Sequence, residues 1–449
     1  MNVTELLQKN IAFISLGCDK NRVDLENIIG QINAVGFNIT PINQAHIVII
    51  NTCSFILDAR KESIQNILEM CELKNNKSIE KIIVTGCLNE MGFTDLETSM
   101  PEVDAFVRIG DNDKIVNIIA NLYNTLIPEE FSLLLKNNYR VLSTPNHYAY
   151  LKIADGCNNF CSYCTIPFIR GRYKSEKIEK LVAEAKTLVD GGVKEIILVA
   201  QDVTRYGEDL YGKKTLVELI QKLSKIKDLK WIRLLYCYPK QITDELISEI
   251  ANNKKVCKYI DIPFQHIDNE ILKNMNRKET QEEIEELLVK LRTNIPNISI
   301  RSTFILGFPG ETDNQFQNLC NFVSKYKLNN VGFFKYSREE GTRAGKMSDQ
   351  IPERTKTKRL KNISTLQYEC VQANSFKEIG HEYEVVVDSI NNDYALCRSE
   401  YLCPDVDGLI FVKHNNLMKV GEFYKIKITK VKDYDLIGEL LWIYQINYL

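Results

Sequence analysis

Apolar positions along this chain follow two different rhythms, and the change of rhythm divides it. Ile11–Gly17 (IAFISLG) is a short apolar run ending in glycine and reads as a buried strand. The next stretch, Asp19–Gly36, places Val23, Ile28, Ile29, Ile32 and Val35 near helical spacing. His46–Thr52 (HIVIINT) is a second strand, and a helix follows through Ile64, Ile67, Leu68 and Cys71. Lys81–Gly86 (KIIVTG) is a third strand. Strands alternating with helices predict a parallel sheet covered on both faces. Between Asn121 and Pro145 the pattern blurs among polar residues, Pro128 and Pro145, which predicts a linker with a helical piece.

A second alternating series begins at Tyr150. Strands are predicted at Tyr150–Asp155, Glu195–Ala200, Trp231–Tyr236, Lys258–Phe264, Ile298–Gly307 and Asn330–Tyr336. The clearest helical face between them is Ile178, Leu181, Val182, Ala185, Leu188 and Val189, with Ser175 as N-cap and Gly191 as C-terminal stop. These units predict a partial, open (β/α)6 barrel whose active site lies at the strand C-termini. After about Phe376 the period becomes two, in EYEVVV, GLIFV and FYKIKITKV. Gly380, Gly408, Gly421 and Gly438 punctuate the strands of a small all-β, OB-like barrel. The expected fold is therefore α/β with a C-terminal all-β module. Its expected divisions are residues 9–122, a linker at 123–145, a core at 146–375 and a barrel at 376–445.

Composition narrows the class. The chain has 449 residues, 44% of them hydrophobic and 26% charged, an ordinary balance for a water-soluble globular protein of two or three domains. No apolar run approaches the roughly 18 residues of a membrane span. The opening MNVTELLQKN lacks a basic stretch followed by an apolar core, so no signal peptide is expected. Thirteen cysteines in such a chain point to a reducing compartment and to metal or redox use. A net charge of −2 argues weakly against a sequence-blind nucleic-acid binder. From Phe376 to Leu440 the chain has 8 Lys+Arg against 12 Asp+Glu, a net of −4. An acidic module suits a basic protein partner better than a phosphate backbone.

The cysteines carry the chemistry. Cys157, Cys161 and Cys164 follow a strand at spacings that let one loop present three thiolates to a soft metal centre. A structural zinc site wants four ligands, and no fourth Cys or His follows at finger spacing. A cubane cluster needs a ligand for each iron, so three cysteines leave one iron open. Cys18, Cys53 and Cys87 each fall just past one of the three N-terminal strands, 35 and 34 residues apart. Strand C-termini of an open parallel sheet share one edge, so these three are expected to converge on one metal site.

C-x3-C-x-aromatic-C, with Tyr163 as the aromatic, resembles the signature of radical S-adenosylmethionine enzymes. Across nearly its full length the chain resembles the methylthiotransferases of that superfamily. Within them, SLGCDKNRVDLE, YAYLKIADGC, IPFIRGRYKSE, QDVTRYGEDL, YIDIPFQHI, FILGFPGET and DYDLIGEL resemble the branch that modifies an aspartate of the twelfth protein of the small ribosomal subunit. Sister branches act on a transfer-RNA adenosine and typically read GCQMN where this chain has Asp19–Lys20–Asn21. Asp19 stands where a proline is more usual.

The resemblance implies two [4Fe–4S] clusters, one on Cys18, Cys53 and Cys87 and one on Cys157, Cys161 and Cys164. It implies S-adenosylmethionine as radical source and methyl donor, with hydrogen abstraction from the β-carbon of the target aspartate. It further implies a TRAM-like C-terminal barrel, an electron donor such as flavodoxin or ferredoxin, and a cytoplasmic monomer without a membrane. The expected cofactor-binding residues are Tyr163, Gln201, Asp202, Gln265, His266, Gly307, Gly310 and Glu311. Arg22, Asp24 and Glu26 are read as helix-surface or first-turn charge, with no chemistry assigned to them. The other seven cysteines are read as packing, with Cys397 and Cys403 the candidates for a further role. Three alternatives stand beside this reading: methylthiolation of transfer RNA, a non-catalytic iron–sulfur carrier or scaffold, and a zinc protein.

Overall fold

A computed structural model describes residues 1–90, 96–135, 140–415 and 417–441. Residues 136–139 of the expected linker and the expected end of the barrel at 445 lie outside these.

The N-terminal unit is a parallel sheet of five strands: β1 (Asn10–Ser15), β2 (Asn38–Ile39), β3 (Ile47–Thr52), β4 (Lys81–Gly86) and β5 (Ala105–Phe106), in the order β2-β1-β3-β4-β5. The three expected strands form its centre. β2 and β5 went unpredicted because two residues are too few for a period to register. Ile47, Val48, Ile49 and Ile50 of β3 are all buried, as a strand covered on both faces requires. The helix Glu129–Leu135 in the expected linker packs Phe131 and Leu135 on this core.

The central unit is an open parallel sheet of β6 (Tyr148–Lys152), β9 (Glu195–Val199), β10 (Trp231–Leu234), β11 (Val256–Asp261), β12 (Ser299–Leu306) and β13 (Asn330–Lys335), ordered β13-β12-β11-β10-β9-β6. A short antiparallel pair, β7 (Ala154–Asp155) and β8 (Lys174–Ser175), closes the cysteine loop between them. Ser175 is therefore not the N-cap of helix Ile178–Asp190; Lys177 holds that position. Ser175 is drawn away because its Oγ donates to Asp209 Oδ1 at 2.6 Å and accepts from Gly207 N at 3.0 Å.

The last unit is a closed barrel of β14 (Glu382–Ile390), β15 (Tyr394–Ser399), β16 (Ile410–Lys413), β17 (Phe423–Lys432) and β18 (Asp435–Leu440). It also completes the core. Alternation along β6 sends Ala149 and Leu151 to the helix-covered face and Tyr148 and Tyr150 to the concave face. That concave face is filled by Val23 from the N-terminal unit and by Val386, Cys403 and Phe423 from the barrel region. Trp231 and Phe423 meet edge to face at 4.8 Å. A buried charge chain runs alongside. Arg233 Nε donates to Glu195 Oε1 at 2.6 Å, Arg398 reaches Glu195 at 2.9 Å and Asp388 at 2.6 Å, and His147 Nε2 lies 2.7 Å from Asp388. Cys397 and Cys403 are both buried in these packed layers.

Candidate functional site

Cys18, Cys53 and Cys87 sit where β1, β3 and β4 end. Two glycines make the approach possible. Gly17 has φ +94, and a Cβ there would stand 2.9 Å from Cys53 Cβ and 3.1 Å from its Sγ. Gly86 has φ +96, and a Cβ would stand 2.4 Å from Thr52 O. Asn21, fully buried, ties the three loops together. Its Nδ2 donates to Leu16 O (3.1 Å) and Thr52 O (2.9 Å), and its Oδ1 accepts from Cys87 Sγ (3.4 Å). Cys53 N donates to Ser63 Oγ, whose hydroxyl returns to Cys53 O.

Cys157, Cys161 and Cys164 share the loop after β7. Gly156, at φ +74, lets that loop pass so close to Arg172 that a Cβ would meet its carbonyl oxygen at 2.2 Å. Ser162 pins the loop at three points: its N donates to Met275 O, its Oγ to Asn274 O, and its carbonyl accepts from Ala344 N. Burial raises the thiols of Cys87 and Cys157 to about 11 each and pushes Cys53 and Cys164 upward as well. Thiols held this way bind metal with loss of their protons. Among the described residues no three His, Cys, Asp or Glu side chains converge tightly enough for one metal ion. A cubane distributes its ligands over separate irons. Three thiols in each set are the donor set of a cubane with one iron left open, one short of the four ligands a structural zinc takes.

One side chain joins the two units that carry the triads. Arg170 follows the Cys157 loop and is almost wholly buried. Its Nη1 donates to Asp24 Oδ2 (2.7 Å) and Asp155 Oδ2 (2.9 Å), and its Nη2 to Asn21 Oδ1 and to Cys87 Sγ at 3.5 Å. Lys152 joins from β6, donating to Asp24 and to Asp155 at 3.0 Å. Burial alone raises the Asp155 carboxyl, but Lys152 and Arg170 outweigh it and hold the group well below the usual range. A second clasp is Arg60, 2.5 Å from Glu339, whose carboxylate also accepts from Leu57 N at the start of helix Leu57–Asn75.

The remaining candidates divide. Gln201 lies in the mouth of the core, Nε2 donating to Asp155 Oδ1 at 3.0 Å while Oε1 is buried without a partner. An orphaned acceptor there is what a polar cofactor group would satisfy. Asp202 caps the turn Val203–Arg205 and accepts from Thr204 N and Asn159 Nδ2. Tyr163 packs on Ile271, Met275 and Phe308, beside Cys161. Gln265, at φ +70, bridges to β12 through its backbone. His266 is fully buried; Nδ1 accepts from Asp268 N and burial lowers its pKa to about 4. Gly307 and Gly310 have φ +70 and +82, and the Glu311 carboxylate accepts from Gly307 N (2.6 Å) and Arg359 Nη1 (2.9 Å). The Glu311 acid therefore braces its own loop against helix Glu353–Ser375.

Sequence reading missed four residues. Asp24 and Glu26 are buried, not helix surface: Asp24 holds Arg170, and Glu26 accepts from Arg140 Nη2 at 2.6 Å. Arg170 had no signal beyond its nearness to the cysteines. Lys20 is 94% buried, its exposure being 6%, and its Nζ lies 3.4 Å from the centroid of the Tyr236 ring. A cavity of about 660 Å³ lies elsewhere, between the barrel and the N-terminal ends of β12 and β13, away from the cysteines.

The chain was compared with known proteins. The family model described as the Radical SAM superfamily matches residues 151–323, an uncharacterized family designated UPF0004 matches 10–108, and the TRAM domain matches 379–441. Ribosomal protein uS12 methylthiotransferase RimO of Clostridium tetani is 44% identical over 437 residues, covering 95% of this chain and 96% of that protein. Its counterpart in Clostridium kluyveri is 46% identical, with 95% and 97% covered. Among solved structures, the radical S-adenosylmethionine methyltransferase TsrM from Kitasatospora setae aligns with TM-score 0.51 at 14% identity, over 75% of this chain and 77% of that one, a likeness of fold. No helix among the described residues is long and apolar enough to cross a membrane.

Proposed function

Because the chain belongs to the ribosomal protein uS12 methylthiotransferases, we propose that it adds a methylthio group to the β-carbon of an aspartate of ribosomal protein uS12. It is a radical S-adenosylmethionine enzyme that uses iron–sulfur chemistry. The observation that carries the reading is Arg170, one buried guanidinium that touches Cys87 of the first set and Asp155, two residues before Cys157 of the second. Two metal centres so joined serve one substrate held between them.

Each triad holds one [4Fe–4S] cluster in this reading: Cys18, Cys53 and Cys87 the first, Cys157, Cys161 and Cys164 the second. When bound, these groups and S-adenosylmethionine supply the hydrogen-abstracting radical, the sulfur and the methyl group. The protein's part is position and exclusion of water. Asn21 and Gly17 hold the first triad together, and Ser162 fixes the second loop against the core. Arg170 sets the distance between the two. Gln201 offers an unsatisfied acceptor to S-adenosylmethionine. Tyr163, Asp202, Gln265, His266, Gly307, Gly310 and Glu311 shape the walls, most of them through bonds they already make. The barrel and Val23 pack apolar side chains on the concave face of the core sheet. The domains are 9–122, 146–375 and 376–445; the enzyme acts as a cytoplasmic monomer and takes electrons from a flavodoxin or ferredoxin.

Anaerobic incubation with S-adenosylmethionine, a reductant and either the ribosomal protein or transfer RNA, followed by intact-mass analysis, tests this. One methylthio group on the protein's aspartate is expected. A gain on the RNA alone would move the chain to the sister activity.

A further inference from the structure

Lys20 is a buried cation without a carboxylate. It occupies the first turn of helix Asp19–Ala34, directly after Cys18, which is that helix's N-cap. Its Nζ rests over the Tyr236 ring, and no Asp or Glu among the described residues lies within 4.0 Å of it. The buried cations around the two triads are otherwise paired. Lys152 and Arg170 meet Asp24 and Asp155, Arg277 meets Glu279, and Arg301 meets Asp261. A desolvated ammonium needs a partner, and an aromatic face satisfies it only in part.

The platform beneath Lys20 is itself built with care. Tyr236 follows β10, at the C-terminal mouth of the core, and adopts φ +60, which is costly for a residue with a Cβ. Four bonds hold it there. Its OH donates to Asp19 Oδ2 at 3.0 Å and its N to Asp261 Oδ2 at 3.0 Å, while its carbonyl accepts from Val203 N at 3.2 Å. The fourth is the Lys20 contact on the ring face. Asp19 accepts from the phenol through Oδ2 and makes no salt bridge to Lys20 within 4.0 Å.

We propose that Lys20 receives the carboxylate of the target aspartate. The inference rests on the functional reading above and names the group that recognises the reacting residue. The hydrogen to be abstracted lies on the carbon next to that carboxylate, so a fixed ammonium fixes the reacting carbon too. The platform predicts selectivity for a carboxylate over its amide: an asparagine leaves the buried charge uncompensated. Lys20 is thus a specificity-determining residue, seated between Cys18 and the mouth of the core.

The test is a cycle of enzyme and substrate changes on the cluster-loaded enzyme under anaerobic conditions. Binding is titrated with ribosomal protein uS12 and with the same protein carrying asparagine at the modified aspartate. Iron content and visible absorbance are recorded for each variant. The wild-type enzyme is expected to prefer the aspartate form by about 10- to 100-fold, the scale of a hydrogen bond to a charged group. Lys20→Met should bring the two forms to within about twofold of each other. Lys20→Arg, which keeps the charge, should retain most of the preference. A wild-type preference within about twofold overturns the proposal without reference to any variant. So does an undiminished preference in Lys20→Met. Failure of the wild-type enzyme to modify the ribosomal protein at all overturns the functional reading, and is seen separately in the product mass.

Discussion

Arg170 Nη2 lies 3.5 Å from Cys87 Sγ, so a residue that follows one cysteine loop reaches the last cysteine of the other set. The same guanidinium holds Asp24 and Asp155, one acid from each unit. Burial works against its charge, and the two acids restore it. Neither unit can move relative to the other without leaving a buried charge unpaired.

Removing that guanidinium should therefore loosen the pair of units as well as the chemistry. Breaking a buried ion pair costs about 3–5 kcal/mol. Arg170→Gln is expected to lower stability by that order in denaturant titration and to lower methylthiolation more than 5′-deoxyadenosine release. Equal loss of both activities would show that Arg170 only supports the fold.

The two triads should load separately. Replacing Cys157, Cys161 and Cys164 together by alanine should halve the iron content of the reconstituted protein, and replacing Cys18, Cys53 and Cys87 should do the same. Iron and sulfide analysis checks this. Complete loss of iron from either variant would mean that the cysteines form one shared centre.

The barrel is locked to the core by Glu195, Arg233, Arg398 and Asp388. Arg398→Met removes the cation shared by Glu195 and Asp388 and leaves them Arg233 and His147 as partners, so the cost should fall near the lower end of the roughly 3–5 kcal/mol of a broken buried pair. Limited proteolysis should then cut near the turn Phe376–Glu378, where the core helix ends. Replacing Glu195 by Gln in the same chain should recover part of the loss.

Two acids of the barrel that look alike in sequence should behave differently. Asp405 is 49% exposed at its side chain and pairs with Arg22 at 3.3 Å. The Asp407 side chain has no exposure and accepts from Cys403 N at 2.8 Å, with Arg301 3.6 Å away. Asp405→Lys is expected to keep the melting temperature and weaken binding of the basic ribosomal protein. Asp407→Lys should unfold the barrel, so only the former probes an acidic docking surface. Unchanged affinity in Asp405→Lys would rule that surface out at this position.

His266 makes stability depend on pH. Burial lowers its pKa to about 4, so the folded protein holds it neutral. An unfolded histidine titrates near 6.5. Between these values the unfolded chain binds the extra proton, and stability falls as pH drops from about 6.5 to about 4. The span is worth about 3 kcal/mol. Glu311, raised by burial to about 7, acts in the opposite sense, losing its contribution as pH rises from about 4.5 to about 7. Urea midpoints of the wild type, His266→Gln and Glu311→Gln at pH 7 and pH 5 separate the histidine from Glu311, whose Oε2 lies 3.9 Å from His266 Nε2. An identical pH slope in the wild type and His266→Gln would refute its role.

Much of this protein was readable without coordinates. The run IVIINT is buried end to end and forms the central β3, because a continuous apolar stretch can only sit inside a covered sheet. Cys18, Cys53 and Cys87 recur one strand–helix unit apart, and parallel strands bring such positions to one edge. The six core strands appear in the expected order for the same reason. What periodicity could not carry is which charges are inside. Asp24, Glu26 and Lys20 lie on a helix that looks solvent-facing, because a helix has no way to record that a second unit covers it. Ser175 likewise reads as a cap until Asp209 claims its hydroxyl.

Local order, strand edges and the placing of each cysteine follow from short-range rules that the chain itself obeys. The joining of the two cysteine-bearing units through Arg170, the closing of the core by the barrel, and the isolation of Lys20 over Tyr236 depend on contacts between residues far apart in the chain. Only packing, which sets the dielectric around each charge and its partner, decided those.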